Sequence, residues 1–234
     1  PKTGSNGASY ELLKQLGFKI NPVLPALVGL KMNESYLKDW DGLRVGATLK
    51  LFIDDELTKE SSGELQLTNY GISGICVFNL SSFVSKALNE NKKVNIKINF
   101  FEENFYDFMQ KRQIDLNIEE SLESIFNYKL IHIFFKLAKI DKTKKWVELT
   151  ALEKNRLAKL VNEFEVDIVG TNDFDKAQVC TGGLSLKEVN PLTMETKIKG
   201  LYVIGEALDV DGECGGFNLA FAFITGFIAG DENA

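Results

Sequence analysis

The sequence predicts an α+β, multi-domain fold in which a β segment and a helical segment interrupt one discontinuous domain. Apolar and polar residues alternate along much of residues 25–102, as in strands with one buried face. Apolar residues recur at helical spacing through residues 103–164. Glycine motifs occur in both the opening segment 1–24 and the closing segment 165–234. We therefore expect the two end segments to form one domain, with the two middle segments inserted in it.

The β segment is predicted to be a small antiparallel domain or barrel with one helix. Every second residue from Arg44 to Ile53 is apolar or small, and Val94, Ile96 and Ile98 repeat the alternation. Between these strands, the spacing of apolar residues predicts a helix over Ile75–Asn89. Ahead of the β segment, Ala8–Leu16 is predicted to be a short helix that Gly17 terminates.

The helical segment is predicted to contain three or four packed helices, one of which starts at the capping box of Thr150 and Glu153. In the closing segment, short strands are expected at 166–169, 177–180 and 201–204. The last helix is apolar on nearly every side, so we expect it to be buried on all sides.

Composition narrows the functional classes. The 234 residues carry a net charge of −6, which argues against a nucleic-acid surface. Three cysteines far apart in sequence and a single histidine predict no metal site and favour a reducing cytoplasm. The apolar run Phe217–Ala229 is too short to span a membrane. Because the chain opens on Pro1 and directly on a motif, we expect it to be a piece of a longer protein.

Two closing motifs are candidates for a ligand site. Gly205-Glu206 places a carboxylate just past an apolar run, where it can accept hydrogen bonds from ribityl or ribose hydroxyls. Glycines from Gly212 onward precede an apolar helix whose first amides are unpaired and favour electron-rich ligand atoms. Each has a plain alternative: an acidic surface residue for Glu206, a tight entry turn for the glycines, and a helix cap for Asn218.

Other motifs are less specific. Gly182-Gly183 and the opening Pro1–Gly7 are either turns or places where backbone approaches a ligand. His132 is interpreted as a packed helix residue, and Cys214 as incidental. The sequence contains no catalytic triad, P-loop or GxGxxG motif, and no residue is identified as a catalytic acid or base.

Together, the motifs resemble the BaiN-type, aminoacetone-oxidase-like family of bacterial NAD(P)/FAD-dependent oxidoreductases. The resemblance rests on segments in a fixed order: Pro1–Gly7, Pro25–Val28, Gly63–Gly74, Ala177–Gly183, Thr193–Lys197 and Gly200–Gly230. It implies a Rossmann-like FAD-binding domain interrupted by a β-barrel-like domain and a small helical domain. Segments 1–24 and 165–234 would then be the remnant of the FAD-binding domain.

The resemblance also implies cofactor-binding residues. They share a place in the glycine motifs: Thr3, Gly4, Gly182, Gly183, Gly205, Glu206, Asp209, Gly215, Gly216, Phe217, Asn218 and Leu219. The family's GxGxxG half is absent from these residues, so we expect the chain alone to bind FAD weakly or not at all and to be inactive. Smaller departures from the family pattern are Phe18, Ile75 and Phe217.

The implied function is that of a fragment of a FAD-dependent oxidoreductase. The intact enzyme would pass hydride between NAD(P)H or a small organic substrate and flavin N5. We expect neither nucleic acid nor membrane as a partner, and we expect self-association through the truncated face of the FAD domain. The alternatives are a non-catalytic protein-interaction module from a truncated or split gene, and a nucleotide-binding protein without redox chemistry.

Overall fold

The computed structural model describes residues 5–112 and 115–231 and has a mixed α/β architecture. The helices are α1 (Ala8–Gln15), α2 (Leu37–Trp40), α3 (Ile75–Asn89), α4 (Phe105–Lys111), α5 (Ile118–Glu123), α6 (Tyr128–Ala138), α7 (Ala151–Asn162) and α8 (Phe217–Asp231). The strands are β1 (Ile20–Ala26), β2 (Leu30–Lys31), β3 (Leu43–Ile53), β4 (Glu56–Thr68), β5 (Gly71–Ser73), β6 (Val94–Asn99), β7 (Phe164–Asp167), β8 (Gly170–Thr171) and β9 (Val179–Leu184). A short 3-10 helix covers Gly205–Ala207.

The chain forms two compact units, and each contains residues from separate stretches of sequence. The first unit comprises the described residues of Pro1–Gly29, Val77–Asn91 and Gly170–Ala234, and the second comprises those of Leu30–Cys76 and Lys92–Val169. The predicted β and helical segments therefore share the second unit, apart from residues 25–29 and 77–91, which belong to the first unit and include most of α3. The predicted division into four domain segments remains a prediction.

The second unit is built on an antiparallel sheet with strand order β7-β6-β3-β4-β5-β2. Leu49 of β3 pairs with Ser61 on one side and Ile98 on the other. The predicted alternation is confirmed, because Leu49 and Leu51 are fully buried while Lys50 between them is exposed. Burial of one strand face is what drives such a sheet to pack against other elements.

Helices of the second unit carry the local signals that the sequence predicted. In α7, Thr150 Oγ1 accepts a hydrogen bond from the Glu153 amide, and the Glu153 carboxylate accepts one from the Thr150 amide. The Asn162 side chain at the end of α7 binds the Phe105 amide and lies 2.8 Å from the carbonyl oxygens of Phe101 and Glu103. These contacts fix the loop that leads from β6 into α4.

The first unit contains a two-stranded antiparallel pair of β1 and β9. Helices α1 and α8 pack on a buried apolar cluster whose members include Phe18, Leu184 and Leu208. Two buried serines attach helix α3 to the end of β1 and to the residues that follow it. Ser85 Oγ donates to the Pro25 carbonyl at 2.6 Å, and Ser81 Oγ accepts from the Val28 amide at 3.3 Å.

Three expectations for the closing segment are corrected. Residues 201–204 form no strand, and the bridge between Tyr202 and Glu195 is an isolated one. The strand expected at 177–180 begins at Val179 and continues through Gly182 and Gly183. Helix α8 is not buried on all sides.

Helix α8 is not buried on all sides because it packs along one side only. Phe221, Ile228 and Ala229 meet the apolar cluster. The opposite side stays open, with Phe223 and Phe227 exposed by 76% and 74%. Among the described residues, no helix combines the length and apolar character needed to cross a membrane.

Candidate functional site

A cleft of about 870 Å³ opens in the first unit between α1, the start of β1, β9 and the Gly205–Ala207 turn. Tyr10 of α1, Cys180 of β9 and Glu206 of the turn all line it. The turn forms because Gly205 adopts a positive φ of 59° and approaches α8 closely. A Cβ at Gly205 would lie 3.1 Å from the Ala222 methyl group, so a larger residue would push the turn away from the helix.

Hydrogen bonds hold Glu206 in this cleft. Glu206 Oε1 accepts from the Cys180 amide at 2.7 Å. The Tyr10 hydroxyl donates to the Glu206 carbonyl at 3.0 Å. A carboxylate has lone pairs on both oxygens, so Glu206 retains the capacity to accept hydrogen bonds from a ligand in the cleft.

The thiol of Cys180 and the phenol of Tyr10, which lie beside Glu206 in the cleft, are held in their protonated, neutral forms. Burial, reinforced by the negative charge of Glu206, raises the pKa of the Cys180 thiol to about 12. Burial raises the pKa of the Tyr10 phenol to about 12 as well, with smaller contributions from Cys180 and Glu206. At neutral pH the cleft therefore offers a thiol and a phenol, and Cys180 is not an activated nucleophile.

A second group of candidate residues lies in the glycine loop, residues 210–216, and in the first turn of α8. Gly215 and Gly216 have φ values of 138° and 91°, and open space surrounds the position of a Cβ at Gly216. Phe217 and Leu219 are exposed by 61% and 67%. The amides at the start of a helix have no intrahelical acceptor, so this tip presents N–H groups beside the exposed backbone of Gly216.

Side chains anchor the glycine loop at three points. Asn218 binds both the amide and the carbonyl of Gly212, at 2.8 and 3.0 Å. Asp211 Oδ1 accepts from Thr181 Oγ1 at 2.5 Å and lies 3.6 Å from Lys86 Nζ. The Cys214 amide donates to Asn79 Oδ1 of α3 at 2.9 Å.

The two groups of candidate residues are neighbours along α8. The Gly205 amide donates to Thr225 Oγ1 at 3.0 Å, and Gly205 packs on Ala222. Ala222 follows Asn218 by four residues, which corresponds to about 6 Å along a helix axis. An elongated ligand lying along α8 can therefore reach both the helix tip and the Glu206 turn.

Other predicted residues lie in different surroundings. Gly182 and Gly183 lie inside β9, where a Cβ would fall 1.9 Å from the Pro22 carbonyl oxygen and 2.8 Å from the Ala207 carbonyl oxygen, respectively. The atoms that Gly182 and Gly183 approach closely therefore belong to the backbone of the protein itself. Asp209 Oδ2 accepts from Asn21 Nδ2 at 2.6 Å. Thr3 and Gly4 lie outside the described residues.

Sequence reasoning missed the anchoring residues Asn21, Asn79 and Thr181. Each is a single polar residue on a strand or helix, and its partner in the closing segment is at least 30 residues away. No local spacing marks such a residue. The only signal in the sequence was that α3 carries an asparagine amid apolar residues.

Comparison with known proteins places the chain among enzymes. The chain is 37% identical over 235 residues to the 3-dehydro-bile acid delta(4,6)-reductase of Clostridium scindens, covering 97% of this chain and 58% of the relative. It is 26% identical over 225 residues to the ribosomal RNA dihydrouridine synthase of Escherichia coli, covering 95% and 55%. The corresponding Haemophilus influenzae synthase is 24% identical over 241 residues, covering 97% and 56%. The chain thus spans little more than half the length of these curated relatives.

A protein-family model also matches most of the chain. The model described as the HI0933-like protein barrel and H2TH domain matches residues 24–179. The match takes in the sheet and helices of the second unit, together with α3 and part of β1. Since the match covers most of the chain, the protein belongs to the HI0933-like family, and the family membership predicted from the ordered sequence motifs is confirmed.

Proposed function

We propose that this chain is part of a FAD-dependent oxidoreductase that transfers hydride between the flavin and a small organic substrate. The observation that carries the proposal is the open glycine loop and first turn of α8, in a chain related to a reductase and to dihydrouridine synthases. FAD, when bound, would supply hydride transfer at flavin N5. NADH or NADPH is the proposed source of reducing equivalents.

The residues present fit this cofactor. The amides of Phe217, Asn218 and Leu219 would face the pyrimidine edge of the flavin, where the partial positive charge of a helix start stabilises electron density. Gly215 and Gly216 would allow backbone to approach the ring, because no atom of the described residues lies within 4 Å of a Cβ added at Gly216. Glu206 would accept hydrogen bonds from the hydroxyls of the ribityl chain.

The proposed architecture is a Rossmann-like FAD domain into which the β-barrel-like and helical parts are inserted. Assembly of the first unit from three separate stretches supports it. The GxGxxG motif that holds the pyrophosphate is not among the 234 residues, so we expect weak FAD binding by this chain alone. The three cysteines form no disulfide, in keeping with a proposed cytoplasmic location.

Two relatives act on ribosomal RNA, which makes RNA the second candidate substrate. A small organic molecule is favoured for two reasons. The net charge of −6 disfavours a polyanion, and the identity to the bile-acid reductase, at 37%, exceeds the 26% and 24% of the synthases. We also propose that the open side of α8 associates with a second copy of the chain.

Expression of the complete reading frame tests the cofactor proposal. We expect a yellow protein whose flavin absorbance is bleached by anaerobic addition of NADH or NADPH. Glu206→Gln keeps an acceptor for the Cys180 amide but removes the charge, and should weaken FAD binding about tenfold.

Glu11→Gln is the matched control, because it removes a charge from the same cleft without contacting Glu206. It should leave the Kd for FAD unchanged. A colourless protein, or equal FAD affinity of wild type and Glu206→Gln, would contradict the proposal. A non-catalytic module is the interpretation that a colourless protein would support.

A further inference from the structure

We infer that Asn79 of α3 is a positioning residue that sets the place of the glycine loop, and through it of the first turn of α8. The inference rests on the proposed function, since it concerns the amides that would face the flavin. Asn79 does not itself need to touch the cofactor. Its side-chain oxygen accepts the Cys214 amide at 2.9 Å, one residue before the two exposed glycines.

The glycine loop needs such an anchor because its own residues provide little restraint. Gly215 and Gly216 are exposed and adopt positive φ values. Glycine loses more backbone freedom on folding than any other residue. A loop of this kind keeps one conformation only when hydrogen bonds from packed elements fix it.

Helix α3 is a suitable base for the anchor. Val77, Leu80 and Val84 are fully buried on the side of α3 that packs inward. Ser81 and Ser85 attach the same helix to the Pro25–Val28 backbone. Asn79 therefore projects from an element held along its length.

The other two anchors act on earlier parts of the loop. Asp211 is bound by Thr181, with Lys86 of α3 nearby. Gly212 is bound by Asn218, which belongs to the first turn of α8 and therefore ties the loop to that helix but not to another element. Of the three anchors, the bond from Asn79 is the one that reaches the residue directly before Gly215. We therefore assign to Asn79 the restraint on the exposed glycines and on the entry to α8.

The test uses the protein from the complete reading frame and three variants. Asn79→Leu removes the acceptor at nearly constant volume, and Asn79→Asp keeps it. Asn89→Leu makes the same replacement at an exposed site near the end of the same helix. Measurements are the Kd for FAD, the absorption maxima of bound flavin, and the thermal midpoint of flavin-free protein.

We expect Asn79→Leu to raise the Kd for FAD at least about fivefold, as loss of one hydrogen bond predicts, and to shift the flavin absorption bands. Asn79→Asp should restore both the affinity and the bands, and Asn89→Leu should match wild type. Equal affinity and spectra of wild type and Asn79→Leu would overturn the inference. So would a lower affinity in Asn79→Leu that appears only with a lower thermal midpoint and that Asn79→Asp does not restore.

Amide hydrogen exchange separates this inference from the proposed function. If the wild-type protein binds no flavin, the proposed function fails, but the anchor can still be measured in the flavin-free protein. Asn79→Leu should then accelerate exchange across residues 214–219 relative to Asn79→Asp. Unchanged exchange in that segment would show that Asn79 does not position the loop.

Discussion

At the residue scale, Gly182 shows how one glycine can have two explanations. The sequence motif suggested a place where backbone approaches a cofactor. In the structure, the nearest obstacle to a side chain is the Pro22 carbonyl oxygen of β1, which lies 1.9 Å from where a Cβ would be, and φ is 85°. The close pairing of β1 with β9 is therefore sufficient to require glycine here, whatever else the residue contacts.

Replacement of Gly182 by alanine should destabilise the protein even without flavin. We expect a loss of about 1–3 kcal/mol or more in the free energy of unfolding, because the methyl group forces a strained conformation or separates the strands. Denaturant unfolding of flavin-free protein measures it. Gly46→Ala is the control, since no atom lies within 4 Å of the added Cβ and φ is not positive. Equal stability of the two variants would refute the packing explanation.

At the element scale, a helix or strand was predicted correctly where residues near it in sequence determine its conformation. The bounds Ile75–Asn89 of α3 and the start of α7 follow from apolar spacing and a capping box, and both were predicted correctly. The strand expected at 201–204 and the burial of α8 depended on partners elsewhere in the fold, and both predictions were wrong.

The residues of the candidate site also differ in whether the sequence could predict them. The glycines of the loop and Glu206 were predicted from the sequence as cofactor-binding residues, and that role stays a prediction. The anchors Asn79 and Thr181 were not predicted, since a hydrogen bond to a residue distant in sequence leaves no local spacing to detect. Only the fold brings the side chain of Asn79 to the Cys214 amide.

The capping box of α7 gives a pH prediction. Hydrogen bonds from Thr150, followed by Lys144, lower the pKa of Glu153 to about 2 from the usual 4.5. A lowered folded-state pKa means that this stabilisation is present above about pH 4.5 and disappears as the pH falls toward about 2. Glu153→Gln should therefore reduce stability at neutral pH and flatten the acid dependence in this interval.

Thermal unfolding from about pH 2 up to neutral pH measures this effect. Glu123→Gln, at an exposed site outside any capping box, provides the control for loss of one negative charge. The prediction fails if both variants show the same acid dependence as the wild type.

At the scale of the whole molecule, the open side of α8 is the largest departure from what the sequence led us to expect. Leu219, Phe223 and Phe227 recur every four residues and so form one stripe along the helix. Exposed apolar surface of this kind marks an interaction site or favours association.

We therefore expect the 234-residue chain to self-associate through α8. The double variant Phe223→Ser and Phe227→Ser should lower the mean mass in solution without lowering stability, because both side chains are largely exposed. Light scattering over a range of concentrations measures the mass. Leu152→Ser, at another exposed apolar position, should change nothing. If the double variant and the wild type have the same mass, association uses a different surface.

The interleaving of the two units has a consequence for synthesis on the ribosome. All residues of the second unit have emerged once Val169 has left the exit tunnel, whereas the first unit still lacks the stretch that begins at Gly170. The unit that is started first is thus completed last, because α1 and β1 contact β9, which is made much later. Until then, β1 lacks its antiparallel partner, and Asn79 of α3 lacks the Cys214 amide whose hydrogen bond it accepts.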